Sequence, residues 1–258
     1  MPQRPVNLEP VTPNPRKLRN TAFVLVAVMI LGGWLVLKAY DRYNAGQAAD
    51  ERPAMNRNRL TAEKDLPVIR QDGSRAGLFD LNGKVTVIQT VSVHDPESSA
   101  RTNAVMRRVA EHYASQPDCV LVSLVLDPGP PDKAKESLVA ASEKLGAALP
   151  QWWVATTDPA ILHKYVKKEL KTSVFPVEQK GKWLHDTSIV LVDRNRHLRQ
   201  PVVPQKRGGQ PYVGPFDFDE AASWDARGVK SGTDRTNVEE LELLLIKTID
   251  ELLAESVK

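Results

Sequence analysis

Residues able to do chemistry gather at one junction. His94-Asp95-Pro96-Glu97-Ser98-Ser99 sets an imidazole, carboxylates and hydroxyls side by side. Upstream, Val85-Thr86-Val87-Ile88-Gln89-Thr90-Val91 is β-branched and mostly apolar, with Asn82-Gly83-Lys84 before it and Asp95-Pro96 after it. A short apolar run between turn residues predicts a strand buried on both faces. A helical pattern begins at about Thr102. Such a strand–loop–helix junction is a favoured place for chemistry in α/β proteins, because backbone donors at the helix start point into the loop. Sulfur chemistry is limited. Cys119 is the only cysteine, which rules out an internal disulfide and any CxxC or cysteine-rich metal site. It lies in Cys-Val-Leu-Val-Ser-Leu-Val-Leu and reads as a buried, inert thiol.

The elements that position this junction follow from periodicity. Leu66-Pro67-Val68-Ile69 predicts a short strand, which Pro67 assigns to a sheet edge. Gln71-Asp72-Gly73 is a hairpin turn signal. Val105, Val109 and Tyr113 form the inward stripe of the helix after the loop. Cys119 to Leu126 predicts a second continuous apolar strand. Asp132 to Gly146 predicts a helix with Gly146 as its C-cap. Trp152-Trp153-Val154-Ala155 reads as a strand. Asp158 caps a further helix to about Leu170, with Pro159 at its first position. Ser188 to Val192 predicts a strand ending in the turn Asp193-Arg194-Asn195-Arg196. Residues 199–232 are rich in proline and glycine with scattered aromatics, and read as an ordered insertion or an arm. Asn237-Val238-Glu239-Glu240 reads as a capping box before an amphipathic final helix. His112, His163 and His197 read as surface residues. The alternation predicts an α/β mixed sheet with helices on both faces, the outline of a thioredoxin-like fold.

Composition sets the context. Lys plus Arg number 35 against 32 Asp plus Glu, too small an excess to argue for nucleic acid, and no basic stripe interleaves with aromatics. Residues 1–19 read as a proline-rich tail on the cytoplasmic side. Thr21 to Leu37 carries no charge, and residues 20–40 are expected to form one N-terminal transmembrane helix. Trp34 and Tyr40 suit an interfacial belt, and Lys38 can snorkel. A cleaved signal is the weaker reading, because Gly46-Gln47-Ala48 is a poor cleavage site. Arg16, Lys17 and Arg19 before the span predict a single-pass protein of the cytoplasmic (inner) membrane with its N-terminus inside. Residues 41–63 read as a linker, in part helical, and 64–258 as the folded, periplasmic domain.

Ordered pieces of this domain carry a family resemblance. Asp80-Leu81-Asn82-Gly83-Lys84-Val85-Thr86-Val87-Ile88 resembles the "DLKGKVVLV" opening of Sco/SenC proteins, thioredoxin-like copper chaperones of cytochrome c oxidase assembly. Gln71-Asp72-Gly73 resembles that family's hairpin turn. Val122-Ser123-Leu124-Val125-Leu126-Asp127-Pro128 is similar to its "VSISVDP" strand, and Trp152 to Asp158 to its "WxFLTGD" segment. His185-Asp186-Thr187-Ser188-Ile189-Val190-Leu191-Val192-Asp193 is similar to its "HSSAIFLID" strand. The pieces span about 64–200 plus the last helix, and their order and spacing carry the match.

The departure falls at the centre. Where the family has Cys-Pro-x-x-x-Cys, this chain has Asp95-Pro96-Glu97-Ser98-Ser99, so Asp95 and Ser99 occupy the thiol positions. The family's histidine ligand falls on His185. Carboxylate and hydroxyl are hard ligands that do not select Cu(I), and without a cysteine pair there is no thiol–disulfide exchange. The resemblance therefore implies a non-catalytic binding or assembly factor in respiratory oxidase biogenesis, with no resident cofactor. One alternative is a metal-binding variant in which His94, Asp95 and His185 take Cu(II) or Zn(II) as an N,N,O set. Against it, His94 reads as a loop residue facing water and His185 as a residue held by hydrogen bonding. Another alternative is a structural accessory subunit of a membrane complex, docked through 199–232. Ser98 or Ser99 acting as a nucleophile with His185 and Asp95 lacks an elbow or oxyanion motif.

Overall fold

The computed structural model describes residues 14–48, 53–203, 212–229 and 234–256. The chain divides into two compact units, Met1–Glu51 and Arg52–Lys258. The first contains helix α1, Pro15–Ala48. Its stretch Pro15–Tyr40 is long and apolar enough to cross a membrane, and the Lys38 ammonium lies 4.7 Å from the Trp34 ring. The expected tail at 1–19 lies outside the described residues up to residue 13.

The second unit is built on one mixed sheet. Its elements in chain order are β1 Ala54–Arg59, β2 Pro67–Arg70, β3 Arg75–Gly77, β4 Val85–Val91, α2 Ala100–His112, β5 Cys119–Val125, α3 Ala134–Leu145, β6 Trp152–Thr156 and α4 Pro159–Lys168. There follow β7 Val177–Gln179, β8 Lys182–Leu184, β9 Val190–Val192, β10 His197–Gln200, β11 Val202–Val203, β12 Tyr212–Val213, α5 Phe218–Ala226 and α6 Asn237–Ala254. The sheet order is β1-β10-β9-β4-β5-β6-β2-β3. β4, β5 and β6 run parallel, whereas β9 lies antiparallel to β4 and β2 antiparallel to β6. This is the thioredoxin-like arrangement, with β4 at the centre.

Strand alternation makes two cores. Val85, Val87, Cys119, Leu121, Trp152 and Val154 face α2, α3, α5 and α6. Ile88, Val120, Val122, Leu124, Trp153 and Ala155 face α4 and the Leu60–Leu81 segment. Every residue of β4 and β5 is buried, as their mostly apolar runs without alternation imply. Gly146 ends α3 at φ 73°, a left-handed cap that a side chain would strain. Asp158 caps α4 by accepting from the N–H groups of Ala160 and Ile161.

Several boundaries differ from the sequence reading. The linker at 41–63 is not one element. α1 continues to Ala48, and β1 joins the main sheet against β10. The compact unit therefore begins at Arg52, not at 64. Ala-Met-Asn-Arg-Asn-Arg shows no apolar alternation, because an edge strand is recruited by the backbone groups of its neighbour. β2 is internal and β3 is the edge. Pro67 is tolerated because β6 pairs only with Ile69 and Arg70, beyond the proline. The final cap is Thr236, whose hydroxyl accepts from Glu239 N–H while Glu239 returns to Thr236 N–H. Asn237 instead bonds Asp225.

The described parts of 199–232 turn two aromatic side chains inward and leave Val213 and Val229 exposed. Phe216 and Phe218 are in the core, and Ile189 N–H donates to Phe216 C=O. Asp219 accepts from Thr187 Oγ1 at 2.7 Å and pairs with Arg101. Phe216 and Phe218 thus anchor this stretch in the core, while Trp224 is half-buried. Residues 204–211 and 230–233 lie outside the described residues.

Candidate functional site

Asp127, just after β5, fixes the loop that follows β4. Its buried carboxylate accepts from Ser92 Oγ at 2.6 Å, Val93 N at 2.7 Å and His94 N at 3.1 Å. The exposed His94 ring adds Nδ1 at 3.0 Å. Asp95 N–H then donates to Ser92 Oγ at 2.8 Å, and the Asp95 carboxylate accepts from Trp183 N at 2.9 Å. The loop is therefore tied to β5 on one side and to β8 on the other.

His185, buried and next to β8, closes on this loop. Its Nδ1 lies 3.2 Å from Thr90 Oγ1, and its Nε2 lies 3.1 Å from Ser98 Oγ and 3.5 Å from Ser99 Oγ. Thr90 Oγ1 donates its proton to Asp186 C=O at 2.8 Å, so toward His185 it accepts. That pattern assigns the imidazole proton to Nδ1 and leaves the Nε2 lone pair facing the serines. Ser98 Oγ donates to Asp95 C=O at 2.6 Å, a bond that directs its proton away from His185. With the Ser98 proton on Asp95 C=O, the contact to Nε2 shares no proton, and Ser98 is not primed as a nucleophile.

Burial pushes the His185 pKa down, and the opposing fields of Asp186, Asp127 and Asp95 do not restore it. Burial pushes Asp186 up, but donors from Ser188 and Ser173 outweigh it and hold the carboxyl below its ordinary value. The sign for His185 follows by linkage. Below pH 6.5, the ordinary histidine value, the unfolded chain takes a proton that the folded ring refuses. Stability is therefore full above 6.5 and falls as pH drops toward the ring's lower value. Melting curves between pH 7.5 and 5 (about the window of a histidine switch) are expected to lose this slope in His185→Gln. An unchanged slope in the variant would exclude His185 as its source.

The structure brings together Asp95, Ser99 and His185 around one loop, and adds Ser98 as the nearer hydroxyl. It does not join His94 to them: that ring turns to Asp127. Among the described residues, no three His, Cys, Asp or Glu side chains form a group able to hold a metal ion. Thr90 and Asp127 escaped the sequence reading as site residues. Thr90 left no signal of its own, because Thr86 and Gln89 are polar positions of the same strand. His163 is not a plain surface residue. Its Nε2 meets Leu126 C=O at 2.9 Å and its ring packs edge-on against Phe175 and Trp183. Cys119 is buried, with its thiol pushed up to about 12 by burial and by Asp250.

Strand order and site together define a thioredoxin-like α/β domain whose junction carries carboxylate and hydroxyl groups against a histidine. No family model matches the chain, and no curated protein matches it. Solved structures with a similar fold include a SCO1/SenC family lipoprotein from Bacillus anthracis str. Ames, 19% identical, covering 78% of this chain and 99% of that one, TM-score 0.48. ScoI from Bradyrhizobium japonicum with copper bound is 20% identical, covering 70% and 96%, TM-score 0.40. A thiol peroxidase from Chromobacterium violaceum is 18% identical, covering 69% and 91%, TM-score 0.39. At these identities the likeness is one of fold.

Proposed function

We propose that this chain is a membrane-anchored, Sco/SenC-like binding or assembly factor for a respiratory oxidase, working without thiol or resident-metal chemistry. α1 is its single anchor, the N-terminus lies inside, and the thioredoxin-like unit faces the periplasm or its equivalent. The observation that carries the reading is the junction itself: a loop held by Asp127 and Trp183 N–H closes on His185 with oxygen groups where the resembled family has sulfur. The binding face has support of its own. Phe175, Val177 and Leu184 are exposed around the β7–β8 hairpin beside His185, with Val177 paired to Leu184. Clustered exposed apolar side chains mark contact surfaces more often than scattered ones.

Two measurements test this. The full chain, loaded with Cu(II), Cu(I) or Zn(II) and desalted, is expected to retain no stoichiometric metal. Retention of one equivalent that His185→Ala removes would replace this reading with the metal-binding one. Leu184→Asp is expected to abolish co-purification with oxidase subunits from solubilised membranes while leaving the melting temperature unchanged. Undiminished co-purification would reject the hairpin as the binding face.

A further inference from the structure

A second concave site lies between α2 and α3, beyond Pro96 from His185. This cleft encloses about 220 Å³. Its floor is apolar, made by Val91, Val93, Ala141 and Leu145, with Ala140 on one wall. Its polar lining is one-sided. Ser92 has no donor to spare, because its proton goes to Asp127 while it accepts from Asp95 N–H. Asn103 Oδ1 accepts from Gln89 Nε2 at 3.1 Å, so the amide group left for a ligand is Nδ2. Gln89 is buried, is also bonded to Ser123 Oγ, and leaves its Oε1 without a donor among the described residues. That network runs from the Trp152 indole through Ser123 and fixes the Asn103 amide from behind. Arg107 spends Nε and Nη2 on the carbonyls of Leu145 and Lys144, leaving Nη1 for the cleft. The Lys144 side chain makes no ion pair among the described residues, and no carboxylate lines the space.

We propose that this cleft is a binding site for a small organic carboxylate with an apolar body. An apolar floor with donors and cations alone at the mouth selects an acceptor anion over a neutral or cationic isostere. The apolar body covers the floor, and the carboxylate meets Asn103 Nδ2, Arg107 and Lys144.

The test is calorimetric titration of the full chain in nanodiscs with sodium benzoate, with empty nanodiscs as the blank. Saturable binding is expected, at least tenfold weaker for the neutral isostere benzamide. Lys144→Glu is expected to weaken benzoate binding at least tenfold. Ala140→Leu, at an exposed position, is expected to fill the cleft and abolish binding without lowering the melting temperature. No saturable heat with benzoate, equal binding of benzamide, or indifference to both substitutions would overturn the proposal.

Discussion

The double variant Asp95→Cys/Ser99→Cys is expected to retain one equivalent of Cu(I) where the native chain retains none. The ligand types decide this. Two thiolates and an imidazole make a soft set that selects Cu(I), whereas carboxylate and hydroxyl do not. The geometry needs little change, since Ser99 Oγ already lies 3.5 Å from His185 Nε2. Asp95 reaches across to Trp183 N–H, so its replacement frees that donor while the Asp127 clamp on the loop remains. The burial that keeps His185 neutral leaves Nε2 ready as a ligand. His185→Ala in the double-variant background is expected to cost most of the retained copper. Metal content and thiol titration after desalting give the measurement. A folded double variant that holds no copper would break the correspondence between this loop and the Sco/SenC pattern, whatever the fold.

The largest expected loss of stability follows Arg199→Met. The Arg199 guanidinium on β10 is buried and binds Asp193 at 2.9 Å, Glu255 through two bonds of 2.7 Å, and the carbonyl of Pro53. One side chain thus ties the approach to β1, the turn after β9 and the end of α6. Methionine keeps much of the volume but removes the cation from Asp193 Oδ2, while Oδ1 keeps the N–H groups of Asn195 and His197; removing one partner of a buried pair costs about 3–5 kcal/mol. Glu255→Gln should cost only about 1 kcal/mol, because that carboxylate is partly open to water. Urea unfolding followed by tryptophan fluorescence separates the two variants. A loss of less than about 1 kcal/mol in Arg199→Met would show that the cluster contributes specificity and not stability.

Local pattern alone determined α2, α3, α4 and α6, the central strands and the long apolar run of α1. β4 and β5 read correctly because a strand buried on both faces has no alternation to hide, and α3 and α4 carry Gly146 and Asp158 as their own end signals. The junction was legible for a similar reason: a buried strand followed directly by a polar loop and a helix start leaves its own local pattern. Tertiary structure decided what each side chain does there. The His94 ring turns to Asp127, more than thirty residues away in sequence, because that carboxylate lies opposite it in the fold. Ser98 stands nearer than Ser99 to His185 because the turn after Pro96, not the spacing of a motif, sets the direction of each hydroxyl. β1, Phe216 and Phe218 followed the same logic. Edge pairing and core anchoring depend on which backbone and which cavity lie opposite, and no local periodicity records that.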